Sequence, residues 1–137
     1  MADIQEALNL QMQGKFEEAG KIYLEFLNEN PKQPDVSNLL GLIYLNTQKY
    51  ESAQKYFEYA TEGFPCAEYY QNLGFAFYKQ QLYEKAMPCF EKAIEYEPDN
   101  VDFIRNFAKM AQKAQQTDYA IKFYQKSLNI APDDPIG

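Results

Sequence analysis

The stretch from Gln81 to Pro98 reads QLYEKAMPCFEKAIEYEP, and it decides the fold because the chain contains this pattern four times. The other copies are GKFEEAGKIYLEFLNENP from Gly14, QKYESAQKYFEYATEGFP from Gln48 and QQTDYAIKFYQKSLNIAP from Gln115. Each copy has eighteen residues, ends in proline and carries alanine at its sixth place, with spacings of 34, 33 and 34 residues between copies. A period of this length is typical of a repeat protein built from stacked units.

The segments between these copies also repeat. SNLLGLIYLNT and YQNLGFAFYKQ align on Gly41 and Gly74, and the corresponding small residues are Ala7 and Ala108 in the first and last units. Apolar residues recur three and four positions apart, which predicts amphipathic helices, and small residues let two helices approach closely. No stretch alternates apolar and polar residues as a strand would. The sequence therefore predicts an all-α fold with two helices per unit.

With these residues the chain resembles the tetratricopeptide repeat family, whose unit is a helix-turn-helix of 34 residues. Two units fill the family pattern, with Leu40-Gly41, Tyr44, Tyr50, Ala53, Phe57, Ala60 and Pro65, and with Leu73-Gly74, Phe77, Tyr83, Ala86, Phe90, Ala93 and Pro98. The resemblance covers nearly the whole chain. It implies a right-handed solenoid of four hairpins, about eight antiparallel helices in all. Residues 1–137 would form one domain, with repeats near 1–33, 34–66, 67–100 and 101–134.

The two ends of the chain depart from the pattern in different ways. The first unit has Glu6 where leucine is usual, which fits a terminal unit with a polar outer side. At the other end no solvating helix follows, and the last helix carries apolar residues that a further unit would cover: Tyr119, Phe123, Tyr124, Leu128 and Ile130. We therefore expect a fragment of a longer protein of bacterial type. A complete chain that forms a homo-oligomer through its C-terminal helix is the alternative.

The composition excludes several classes of function. The 137 residues include 20 acids, 13 bases, two cysteines and no histidine, for a net charge of −7. A chain without histidine has no catalytic triad and no imidazole ligand for a metal, and two cysteines cannot complete a structural zinc site. There is no glycine-rich phosphate loop, and an acidic chain is a poor partner for nucleic acid. We expect no enzyme activity, no cofactor and no metal.

The same survey bears on the cellular location. The first ten residues, MADIQEALNL, lack the basic and apolar regions of a secretory signal. The longest uncharged run is too short to cross a bilayer, so we expect no membrane partner. Two cysteines do not make a disulfide framework, and reduced thiols in a cytoplasmic protein are the simplest interpretation.

The family resemblance implies that a ligand would lie on the concave side, which the first helix of each unit lines. Spacing relative to the Leu-Gly stripe selects candidate peptide-binding residues on these helices: Asn38, Leu39, Leu42, Asn72, Phe75, Tyr78, Lys79, Arg105, Asn106, Lys109 and Lys113. The leucines and aromatic residues would form an apolar floor. Arg105, Lys109 and Lys113 recur every four residues and so share one helix face. An ordinary solvated helix face is the competing interpretation of this basic stripe.

The predicted function is a non-catalytic scaffold that binds a peptide segment of a partner protein in the concave groove. In the alternative, the chain is the N-terminal substrate-docking region of a larger enzyme such as a glycosyltransferase. Asn72 and Asn106 occupy the same place in successive units, which is similar to the asparagine ladder of O-linked N-acetylglucosamine transferases. An amide there can hold a peptide backbone, because it both donates and accepts hydrogen bonds.

Overall fold

The computed structural model describes residues 3–31 and 33–131. Within these residues the chain has no strand and forms eight helices, which confirms the predicted all-α hairpin pattern. Their bounds are α1 Ile4–Met12, α2 Phe16–Glu29, α3 Pro34–Asn46, α4 Tyr50–Gly63, α5 Ala67–Lys79, α6 Tyr83–Tyr96, α7 Val101–Lys113 and α8 Thr117–Ile130. The chain divides into two compact units, Met1–Pro65 and Cys66–Gly137, each of which contains two hairpins.

The turn inside every hairpin has the same backbone conformation. Gly14, Gln48, Gln81 and Gln115 all have positive φ, at 79°, 65°, 64° and 63°. In each case the next amide donates to a carbonyl in the last turn of the preceding helix, for example from Lys49 N to Tyr44 O at 2.8 Å. This is the usual way in which a helix ends on a left-handed residue. The repeat therefore specifies where each hairpin reverses, even though three of the four turn residues are glutamines, which adopt this conformation at a cost of about 1 kcal/mol.

The first unit packs around small residues that face large ones. Ala7, Ala19, Tyr23 and Leu40 have no exposed surface. A Cβ atom at Gly41 would lie 2.5 Å from Cε1 of Phe57, so glycine is required for α3 and α4 to approach this closely. The Tyr23 hydroxyl donates to Oε1 of Gln11 at 2.6 Å, and burial raises the pKa of Tyr23.

The second unit repeats this arrangement with different side chains. Phe90 is fully buried, and a Cβ atom at Gly74 would lie 2.9 Å from its ring. The rings of Phe107 and Phe123 meet edge to face at 4.5 Å between centroids, which joins α7 to α8. The helix α6 continues through Pro88 without interruption.

The residues at which a further unit would begin, Pro135, Ile136 and Gly137, lie outside the described residues, and the interpretation of the chain as a fragment stays a prediction. None of the described helices combines the length and the hydropathy that a membrane span requires. The predicted single domain and the cytoplasmic location stay predictions.

Candidate functional site

In the second unit the first helices of both hairpins lie close enough for their side chains to meet. The amide Nδ2 of Asn106, on α7, donates to Oε1 of Gln71, on α5, at 3.4 Å. Both residues are half-buried. Two helices that are separated in sequence by α6 therefore contribute to one surface, which we call the α5–α7 surface. Its defining residues are Tyr78, Lys79, Arg105, Asn106, Lys109 and Lys113.

Tyr78 stands at the centre of the α5–α7 surface. The Nζ atom of Lys109 lies 5.2 Å from the centroid of the Tyr78 ring, and that of Lys79 lies 5.9 Å from it. The ring of Tyr83, at the start of α6, is 5.9 Å away between centroids. An aromatic face attracts a cation at these distances. The arrangement gives an aromatic platform with one positive charge from each of two hairpins.

The three exposed lysines of this surface have different physical roles. Lys79 and Lys113 lie in the last turns of α5 and α7, where a cation offsets the partial negative charge of a helix end. Lys109 is exposed and lies one turn earlier, so this stabilisation does not account for its position. Lys113 also lines a cavity of about 330 Å³ beside the α5–α6 turn, together with Leu82 and Tyr83.

Two candidate residues of α5 also make contacts within the protein. Phe75 is half-buried, and its ring meets that of the fully buried Phe90 edge to face at 5.3 Å between centroids. A substitution at Phe75 therefore disturbs the core as well as any surface contact. Asn72 is half-buried and, like Arg105, makes a further interaction within the protein.

The candidate residues of the first unit lie on α3. Asn38 is only 5% exposed, so its amide offers almost no surface to a ligand. Leu39 packs against the hydrophobic core of the unit that includes Leu40 and Tyr23, and Leu42 is half-buried. These positions mainly pack the first unit.

Two residues that contact the α5–α7 surface, Gln71 and Tyr83, are not among the predicted peptide-binding residues. Gln71 lies beside the predicted Asn72 and accepts the hydrogen bond from Asn106 of α7. Tyr83 matches an aromatic position of the repeat and was therefore assigned to packing. Only its position after the left-handed turn at Gln81 brings it beside Tyr78.

The described residues carry no metal-binding constellation. They contain no group of three or more histidine, cysteine, aspartate or glutamate side chains that could hold a metal ion. Cys89 is buried and Cys66 is half-buried, and neither forms a disulfide. The α5–α7 surface offers positive charges, an aromatic ring and side-chain amides.

Comparison with known proteins agrees with the fold. Residues 4–65 and 67–100 each match a family model described as tetratricopeptide repeat. A comparison with curated proteins gives no match. Among solved structures, a MamA RS-1 ArsTM double mutant superposes with a TM-score of 0.88 at 20% identity, covering 93% of this chain and 72% of that chain.

Two further solved structures are similar to the same extent. MamA 41-end from Desulfovibrio magneticus RS-1 has a TM-score of 0.87 at 20% identity, covering 93% of this chain and 72% of that chain. A crystal structure of MamA has a TM-score of 0.87 at 21% identity, with coverages of 92% and 74%. At these identities the likeness concerns the fold. The repeated hairpins, their left-handed turns and the two family matches lead to one conclusion: the chain belongs to the tetratricopeptide repeat family.

Proposed function

We propose that this chain is a non-catalytic protein-interaction scaffold and that its α5–α7 surface binds an acidic peptide segment of a partner protein. The observation that supports this most directly is that two lysines lie near one ring: the Nζ atoms of Lys109 and Lys79 are 5.2 and 5.9 Å from the centroid of Tyr78. An exposed lysine that is held near an aromatic ring, away from the helix end, is placed to meet a negative charge.

The neighbouring groups favour an extended segment with an apolar residue beside its acidic ones. The ring of Tyr78 can take an apolar side chain and keep its hydroxyl in water. The paired amides of Gln71 and Asn106 lie nearer the N-terminal ends of the same helices. They retain donors and acceptors that can bond a peptide backbone. Because the lysines are exposed, their charges should guide orientation and association rate more than final affinity.

The experiment is a binding measurement with peptides selected against the whole chain. Acidic and basic peptide libraries are displayed separately, and the affinity of the recovered peptides is measured by fluorescence anisotropy. Acidic peptides with one aromatic or aliphatic anchor are expected. Lys109→Glu should weaken their binding about tenfold at low salt, and this difference should shrink at high salt because exposed charges are screened. Tyr78→Leu should weaken binding at both salt concentrations.

Lys122→Glu is the matched control, because Lys122 lies on α8 with its Nζ 5.9 Å from the centroid of the Phe123 ring. It places the same charge reversal beside an aromatic ring outside the α5–α7 surface. Equal losses from Lys109→Glu and Lys122→Glu would mean that only the net charge of the protein matters. Recovery of basic peptides alone would show that the surface has been assigned to the wrong ligand. A role as the docking region of an enzyme would use the same surface.

A second candidate, self-association, is supported by the exposed face of α8. Tyr124 and Leu128 are 37% and 43% exposed. The corresponding residues one repeat earlier, Phe90 and Ile94, are 0% and 8% exposed, in a helix that packs against α7. Ile130 is a weaker indicator, because the equivalent Tyr96 is itself half exposed. The exposed face of α8 therefore resembles the face of α6 that packs against the following helix, α7.

The residues of α1 argue against head-to-tail association. A Cβ atom at Gly20 of α2 would have Ile43 and Leu40 of α3 as its nearest neighbours, at 3.5 and 3.8 Å, so these residues seat α3 on α2. The repeat places Glu6 and Asn9 at the corresponding positions of α1. A helix that presents Glu6 and Asn9 at these positions would pack poorly against Tyr124 and Leu128. Two copies would therefore associate through α8 of each, with twofold symmetry.

Light scattering over a concentration series tests this second candidate. The mass is expected to rise from one chain to two, and Leu128→Asp should prevent the rise, because a charge in an apolar interface is costly. Met12→Asp, at an 86% exposed position of α1, should leave it unchanged. A mass of one chain at every concentration would remove self-association, and a mass that grows without limit would indicate head-to-tail contacts instead.

A further inference from the structure

A cavity of about 460 Å³ lies in the first unit. Its lining residues are Pro31, just after α2, and Tyr59, Glu62 and Gly63 in the last turns of α4. Since one water molecule occupies about 30 Å³ in the liquid, the space suits a whole side chain of a partner. We call it the Glu62 cavity.

The third hairpin shows what the chain places at the equivalent positions. The spacing of 33 residues aligns Tyr59, Glu62 and Gly63 with Lys92, Glu95 and Tyr96. There the Nζ atom of Lys92 lies 3.3 Å from Oε2 of Glu95, and this hydrogen bond raises the pKa of Lys92.

The same position of the third hairpin is also filled by aromatic rings. The ring of Tyr96 stacks on that of Tyr70 with 6.1 Å between centroids. The third hairpin therefore combines a carboxylate, a cation and two tyrosine rings in one place.

The second hairpin keeps the carboxylate but replaces its cation. At the lysine position it has Tyr59, whose ring is 44% exposed, and Glu62 is an exposed residue with no ion pair among the described residues. Both ring positions carry small residues instead, Ser37 for Tyr70 and Gly63 for Tyr96. Among the described residues, the Glu62 cavity thus has an aromatic ring and a carboxylate, with no cation at the position that Lys92 occupies one repeat later.

Packing against α3 also explains why the cavity is lined by a glycine at residue 63. A Cβ atom at Gly63 would lie 2.7 Å from Cγ of Pro34, the first residue of α3. Any larger residue would push against a rigid proline ring. The close approach of α3 therefore requires glycine at this position.

We propose that the Glu62 cavity receives an arginine side chain of a partner protein. The guanidinium group stacks on the ring of Tyr59 and donates two hydrogen bonds to the carboxylate of Glu62, which its planar fork allows. A lysine ammonium offers charge without this planar match, so arginine is preferred. In residues 1–65 the acids outnumber the bases by ten to five, which favours approach of a cationic segment. The inference concerns the first unit alone and does not depend on the α5–α7 surface.

The test uses N-acetyl-arginine amide as the probe, titrated into the isotopically labelled full chain and followed by amide NMR. The expected result is a saturable shift of the amide signals of Tyr59, Glu62 and Gly63. The citrulline analogue, which has the same shape without the charge, should bind about tenfold more weakly, since it loses both the ion pair and the cation–ring attraction. The lysine analogue should bind with intermediate affinity.

Variants of the full chain separate the cavity from general attraction to an acidic protein. Glu62→Gln and Tyr59→Leu should each weaken binding of the arginine probe about two- to fivefold, and both replace exposed side chains. Glu95→Gln is the matched control, because the equivalent carboxylate already has Lys92 as its partner. It removes the same charge and should leave the affinity unchanged.

Three outcomes would overturn the proposal. Equal binding of the arginine and citrulline probes would show that charge plays no part. Shifts spread over the acidic surface, without the three cavity amides, would place the probe elsewhere. An equal loss of affinity in Glu62→Gln and Glu95→Gln would reduce the effect to net charge.

Discussion

Replacing Phe90 with alanine should lower the free energy of unfolding by about 3–5 kcal/mol, the largest effect that we expect from a single substitution in this chain. The ring has no exposed surface, lies against Gly74 on α5 and meets the ring of Phe75. Its loss leaves a cavity between α5 and α6 that rigid helix backbones cannot close. Chemical denaturation of the full chain, followed by far-ultraviolet circular dichroism, measures the change.

Phe64→Ala is the matched control for this substitution. Phe64 follows α4 and is 62% exposed, so the same truncation there removes much less buried surface and should cost less than half as much. Similar losses at Phe64 and Phe90 would contradict the packing described for the second unit.

The contact between Phe90 and Gly74 can be tested in the same series. Gly74→Ala alone should be destabilising, because the new Cβ atom would lie 2.9 Å from the ring of Phe90. In the Phe90→Ala background that clash is absent, and the substitution should become neutral or stabilising, since alanine favours a helix more than glycine does. Additive effects in the double variant would mean that the two residues do not touch.

The second large effect is expected at Gly41. Gly41→Ala should destabilise the protein by about 1–3 kcal/mol, although alanine is the better helix former, because the new methyl group would overlap the ring of Phe57. That ring is fully buried, and two of its atoms would lie within 2.6 Å of the added Cβ atom. Phe57 cannot rotate away without disrupting its own contacts.

Gly20→Ala provides the control, with the same substitution in the neighbouring hairpin. A Cβ atom there would lie 3.5 Å from Ile43 and 3.8 Å from Leu40, which are ordinary contact distances. Gly20→Ala should therefore stabilise the protein by up to about 1 kcal/mol through helix propensity. Thermal or chemical unfolding of the two variants should give changes of opposite sign. If both were stabilising, the close approach of α3 and α4 at Gly41 would be wrong.

Much of the fold could be predicted because the repeat supplies the same information four times. The four copies of the repeated pattern begin at Gly14, Gln48, Gln81 and Gln115, and all four residues adopt the left-handed conformation that ends a helix. The small residues at Gly41 and Gly74 were correctly read as points of close approach. Local sequence was sufficient here, because helix ends and helix-packing stripes depend on residues within one hairpin.

The candidate site was less predictable, because a helical pattern assigns a side chain to a helix face but does not determine which residues of other helices it contacts. Asn38 matched the pattern of an exposed amide and is almost entirely buried. Phe75 matched a surface position, and its ring packs on Phe90. Lys109 and Tyr78 are on different hairpins, and their proximity depends on how α5 and α7 align. Such contacts are set by packing between hairpins.

The period of the repeat was enough to predict the helices, the turns and the family, since each depends on short-range spacing that recurs in all four units. Tertiary structure alone decided which equivalent positions differ in environment. Tyr124 is exposed where Phe90 is buried, and Lys109 of one hairpin lies near the ring of Tyr78 of another. The physical reason is that burial and pairing depend on which side chains occupy the neighbouring helices. The residue type at one position does not by itself indicate which side chains will surround it in the folded chain.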